Sequence, residues 1–166
     1  MAKPKVGEAS DGRPMHFSVG ALIERNGLYL LIDRKYPPYG FAGVAGHVDE
    51  GEDEEEALCR EVCEESGFKI ERRRLLIAEE VDWNWCHKYV GDNKDGAGVH
   101  YWFLFSCEVS GEIKQNKGET KSIGWYTAEQ IQKLNLEPVW RYWFEKLGII
   151  PKKKIEDGFR KTRTEF

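Results

Sequence analysis

Along the chain the apolar positions change period several times, and each change marks an element. Residues 16–23 (HFSVGALI) and 28–35 (LYLLIDRK) are apolar-rich runs of strand length. Between them lies Glu24-Arg25-Asn26-Gly27, whose Asn-Gly pair is a strong signal for a tight hairpin. Tyr36-Pro37-Pro38-Tyr39-Gly40 cannot continue a paired strand, so a loop leads into residues 41–46. The spacing then predicts a helix over 53–66, stopped by Gly67 as a left-handed cap. Extended segments at 74–90 and 99–109 flank the glycine-rich stretch 91–98, read as a hairpin loop, and a short strand at 122–126 follows. Thr127-Ala128-Glu129-Gln130 is a capping box opening a helix that ends near Leu134, and a last amphipathic helix covers 137–147. Residues 1–14 are expected to be flexible, 15–150 to form one domain, and 151–166 to be a basic, polar tail, with no repeat or linker between them.

Composition narrows this picture. A length of 166 residues suits one domain with one substantial core. The chain is 40% hydrophobic and 33% charged, and it has no apolar run of membrane-spanning length, which points to a soluble protein. The polar opening stretch lacks an apolar signal core, and no CxxC pair suggests a zinc ribbon. Cys59, Cys63, Cys86 and Cys107 are therefore read as reduced, core or semi-buried thiols of a cytoplasmic protein. Charge is more telling by region. Residues 49–65 hold ten acidic residues and one basic, a net −9 in a chain of −4, which leaves the remainder at +5.

Spacing decides what so acidic a segment is for. On a helical wheel Glu54, Glu61, Glu64 and Glu65 share one face, while Cys59, Val62 and Cys63 fall on the other side and are expected to pack into the core. Like charges at such spacing repel unless something neutralises them, and a hard divalent cation such as Mg²⁺ accepts carboxylate oxygens while keeping sites for water and phosphate. A cation explains the face somewhat better than solvation alone, and a solvated face is the other reading. A calcium loop is excluded, because its sixth position needs Gly and here is Glu54.

Read as one string, residues 46–68 are GHVDEGEDEEEALCREVCEESGF. This resembles the Nudix box at every defining position: Gly46, Glu52, Arg60, Glu61, Val62, Glu64, Glu65, Gly67 and Phe68. The last is more often Ile, Leu or Val, and Phe68 keeps its apolar character. The resemblance implies an α/β/α sandwich around a mixed β-sheet (an α/β, or α+β, chain). It implies Mg²⁺-dependent, or Mn²⁺-dependent, hydrolysis of a phosphoanhydride in a nucleoside diphosphate linked to another moiety. Glu61, Glu64 and Glu65 then look like metal ligands, with Glu61 also a candidate base for the attacking water, and the Gly46 carbonyl near the same ion. Glu52 and Arg60 would pair and hold the carboxylates in register. Glu119, in a loop before a Trp-containing strand, is the candidate ligand from outside the box. The partner implied is a small nucleoside diphosphate derivative, and homodimers occur in the family. A diphosphate isomerase and a non-catalytic nucleotide-binding regulator of the same fold are the alternatives.

Substrate choice is less legible. Tyr36, Tyr39, Phe41, Trp83, Trp85, Tyr101 and Trp102 border the expected site, and Phe17, Phe103 and Phe105 read as core. A base stacked on Trp83 or Trp85, with Asp82 or Asn84 reading its edge, is one arrangement; rings that simply fill the core are the other. His47 follows the first glycine of the box and could touch a phosphate. Cys86, His87 and His100 match no usual zinc spacing. The basic tail reads as a solvated segment, with no clear nucleic-acid binding motif.

Overall fold

The computed structural model describes residues 2–84, 86 and 99–153. Trp85, His87, the stretch 91–98 and the tail beyond Lys153 lie outside the described residues. The described residues form, in order, β1 (Val6–Glu8), β2 (Pro14–Arg25), β3 (Leu28–Arg34), β4 (Phe41–Ala42), β5 (Val44–His47), α1 (Glu54–Ser66), β6 (Lys69–Val81), β7 (His100–Ser110), β8 (Thr120–Tyr126), α2 (Ala128–Lys133) and α3 (Pro138–Lys146). Within the opening stretch β1 pairs antiparallel with β2, and the Glu50 amide donates to the Lys3 carbonyl.

The sheet is mixed. β2 pairs antiparallel with β1, β3 and β5 but parallel with β7, and β7 pairs antiparallel with β6. The β2–β3 turn is the expected Asn-Gly hairpin, with Asn26 and Gly27 both at positive φ (54° and 77°). β2 is the central strand and both of its faces are used. Val19, Ala21 and Ile23 join Ala57, Leu58 and Val62 of α1, with Phe105 and Cys107 of β7, in one core. Leu22 faces the other way, toward a core built from Trp102 and Leu104 of β7, Ile131 of α2 and Trp140, Trp143 and Phe144 of α3. Alternation of side chains along a strand produces this division, and it explains why β2 and β7 read as dense apolar runs. Helices thus cover both faces, as expected for the mixed α/β fold. No described helix is long and apolar enough to cross a membrane.

The acidic helix begins and ends as its sequence dictates. Asp53 caps it and Glu56 reciprocates, while Gly67 closes it at φ 80°, where a side chain would be strained. Its orientation differs from the wheel reading, however. Cys59 and Cys63 are exposed, and the buried residues are Ala57, Leu58, Val62, Glu65 and Ser66. Those apolar positions flank Glu61 and Glu65 on the wheel rather than opposing them. The carboxylates therefore point inward, toward the sheet, beside the helix's own apolar anchors.

Candidate active site

The inward turn of α1 sets two carboxylates against β5. Gly46 lies so close that a Cβ there would fall 2.1 Å from the Glu61 carboxyl carbon, so glycine is the residue that allows helix and strand to approach. Glu65 is buried, and its Oε2 accepts no hydrogen bond among the described residues. Burial and the neighbouring charge of Glu61 hold the Glu65 carboxyl well above the usual range, and Glu119 adds to the same repulsion. Burial raises Glu61 as well, against the pull of Arg60. Two adjacent carboxyls raised by burial against the pull of nearby arginines, one with an oxygen that accepts no hydrogen bond among the described residues, are what a hard divalent cation would satisfy. Glu64, by contrast, is half exposed, at 55% of its side chain, and borders the pair from the solvent side.

Arg60 organises the outer edge. Its Nε and Nη2 donate to the two oxygens of Glu52 at 2.8 and 2.9 Å, its Nη1 to Glu61 at 2.8 Å, and its Nη2 also to the His47 carbonyl at 3.0 Å. Glu52 in turn accepts from the Asp49 amide, which fixes the turn between β5 and α1. This fork–fork geometry holds Glu52 below the ordinary carboxylate range, chiefly through the Arg60 hydrogen bonds. The pairing of Glu52 with Arg60 is thus as expected, and Arg60 also ties Glu61 to β5. Arg60→Lys keeps the charge but loses the fork. Its expected effect is about a tenfold weaker apparent Mg²⁺ affinity, at the low end for residues that orient metal ligands, readable by titrating Mg²⁺ against thermal stability.

Glu119 ends the turn before β8 and its charge reaches Glu65, so the candidate ligand from outside the box shares the electrostatic environment of the box. The residues considered for substrate binding are more scattered. Tyr39 is exposed with Lys121 over its ring, and Phe41 packs edge-on to Tyr126. Asp82 lies 3.6 Å from Arg13, and Trp83 packs edge-on against Tyr142 of α3. Asn84 is buried and accepts a hydrogen bond from Trp102 Nε1. Trp85 lies outside the described residues. His47 points away from the box, into a group with His16, Cys86 and His100 that sequence reasoning missed.

The NUDIX domain family matches residues 14–147. The chain is 31% identical over 112 residues to the NAD-capped RNA hydrolase NUDT12 of Homo sapiens, covering 66% of this chain but 21% of that much longer protein. It is 29% identical to the nucleoside triphosphatase NudI of Enterobacter sp. (strain 638), covering 78% of this chain and 94% of that one. Among solved structures, the MutT NUDIX hydrolase from Burkholderia pseudomallei superposes with a TM-score of 0.66 at 26% identity, over 80% of this chain and 98% of the other. Members of the family generally use a divalent metal. With its box complete and its carboxylates gathered at the end of β5, the chain belongs to the Nudix hydrolase family.

Proposed function

We propose that this chain hydrolyses a phosphoanhydride bond in a nucleoside diphosphate linked to another moiety, using Mg²⁺ or, in its place, Mn²⁺. The observation that carries the reading is the pairing of half-buried Glu61 with buried Glu65, whose Oε2 accepts no hydrogen bond among the described residues, braced by Arg60 from outside. Glu61, Glu64, Glu65 and the Gly46 carbonyl would hold the ion, with Glu119 as a ligand from beyond the box. When bound, the ion neutralises charge on the diphosphate and lowers the pKa of the attacking water. Glu61 would take the proton from that water, and the Arg60 Nη1 contact keeps its carboxylate aimed. Arg60 and Glu52 act on the geometry of the ligands.

The match covers 94% of NudI, which makes nucleoside triphosphates the first substrates to try; NAD-linked and capped-RNA substrates follow from NUDT12. A diphosphate isomerase would need a catalytic cysteine and no attacking water, and a non-catalytic regulator usually has an eroded box, whereas no box position is lost here. The test is product release from NTPs, oxidised dNTPs, ADP-ribose, NADH, dinucleoside polyphosphates and capped RNA, with Mg²⁺ and with chelator. Hydrolysis of at least one compound that stops on chelation is expected. No magnesium-dependent hydrolysis across the panel overturns the reading.

A further inference from the structure

On the face of the sheet opposite α1, four side chains from four segments converge. His16 comes from β2, His47 from β5, Cys86 from the segment after β6, and His100 from β7. The strand pairing brings them together. His16 and His100 are direct partners in the parallel β2–β7 ladder, and β5 lies on the other side of β2 with His47 opposite Ser18. Strand alternation sends Gly46 toward the box and the next residue, His47, through to the other face. Three of the four residues are buried and His47 is half-buried.

We propose that His16, His47, Cys86 and His100 form a structural zinc site, distinct from the magnesium site of the box. One ligand atom from each residue lies within 4.8 Å of all the others. A tetrahedral zinc ion with Zn–N of about 2.0–2.1 Å and Zn–S of about 2.3 Å sets its sulfur and nitrogen ligands about 3.5 Å apart. Cys86 Sγ lies 3.4 Å from His47 Nε2 and 3.8 Å from His16 Nδ1, on either side of that edge. One thiolate and three imidazoles are a borderline-soft donor set that selects zinc over Mg²⁺, which prefers oxygen. Four protein ligands leave no open position, which marks a structural rather than a catalytic ion.

The ion would tie the segment after β6 to the centre of the sheet. It would also fix the backbone of His47, whose carbonyl accepts from Arg60. The zinc site thereby buttresses the box from behind, although its existence does not depend on the hydrolase reading.

The test uses the full chain. Protein purified without added metal is expected to carry one zinc per chain by mass spectrometry of the metal, retained through a chelator wash that strips Mg²⁺. Replacement by Co²⁺ should give the visible bands of a tetrahedral ion together with a thiolate-to-cobalt charge-transfer band. Cys86→Ser should abolish the charge-transfer band, whereas Glu64→Gln should leave it intact, which separates this site from the box. Folded wild-type protein that holds no zinc and shows no thiolate–cobalt band overturns the proposal, even if the Cys86 variant fails to fold. A band that survives Cys86→Ser, or disappears with Glu64→Gln, overturns it equally.

Discussion

Glu65→Gln is expected to lower magnesium-dependent turnover by about 10²–10⁴-fold while leaving the metal-free protein as stable as the wild type or more so. The loss follows from removing a ligand of an ion whose charge stabilisation contributes several kcal/mol, each 1.4 kcal/mol being about a factor of ten. The stability gain follows from burial. Glu65 buries a carboxyl beside Glu61, with Oε2 accepting nothing among the described residues. An isosteric amide carries no charge to desolvate and can donate toward Glu61. A third consequence separates this account from simple damage. Mg²⁺ should raise the melting temperature of the wild type by mass action, and that rise should vanish in the variant. Steady-state kinetics and thermal shift with and without Mg²⁺ measure all three. Wild-type turnover in a folded Glu65→Gln protein would remove this residue from the site.

The inward turn that buries Glu65 also explains what the helical wheel concealed. A wheel shows which residues share a face but not which face meets the sheet. Cysteines are usually buried and glutamates usually exposed, so Cys59, Val62 and Cys63 looked like the anchor. The fold instead anchors α1 through Ala57, Leu58 and Val62, an arc that carries Glu61 and Glu65 inward with it. Only Val62 was read correctly, because a functional site here overrides the ordinary preference for exposed charge. The local features were legible for the opposite reason. The Asn26-Gly27 hairpin, the Asp53 and Thr127 capping boxes and the Gly67 cap depend on residues within a few positions of one another. The Glu52–Arg60 pair spans eight residues and was readable only because the box pattern is a single string.

Long-range placement was illegible on the same grounds. His16, His47, Cys86 and His100 are scattered over 85 positions and meet through the pairing of β2 with β7 and with β5, and through the β6–β7 pairing that brings in the segment carrying Cys86. Spacing rules for zinc look for ligands close in sequence, so the trio Cys86, His87 and His100 failed them. What could have raised the suspicion is the presence of His16 and His100 near the starts of two central strands, where a buried imidazole needs a partner. Trp83 shows the same limit. It was read as bordering the expected site and able to stack on a base; its edge-on contact with Tyr142 of α3 is one that only the fold brings about.

Glu137 offers the second large effect, one visible only as a slope against pH. It is the residue before α3, it is buried, and Arg34 Nε lies 3.8 Å from its Oε2, too far to donate a hydrogen bond. Burial pushes the carboxyl from its ordinary 4.5 up to about 7, only partly opposed by Arg34. The folded state then binds the proton more tightly than the unfolded chain. The contribution of Glu137 to stability is therefore fully present below about pH 4.5 and is lost as the pH rises through about 7. Over that window the loss is on the order of 3 kcal/mol, from 1.36 kcal/mol per unit. Glu137→Gln removes the titration and leaves Arg34 charged at every pH; the constant offset is the difference between the amide and the protonated carboxyl, and the attraction of Arg34 for the ionised form is already part of the raised pKa. The box carboxylates titrate in both proteins and cancel in the difference. Denaturant unfolding of the two proteins from pH 4.5 to 7.5 should show the stability of the wild type falling relative to the variant by that amount. A difference that stays flat across the window would mean that Glu137 is ionised in the fold, with Arg34 closer to it than 3.8 Å.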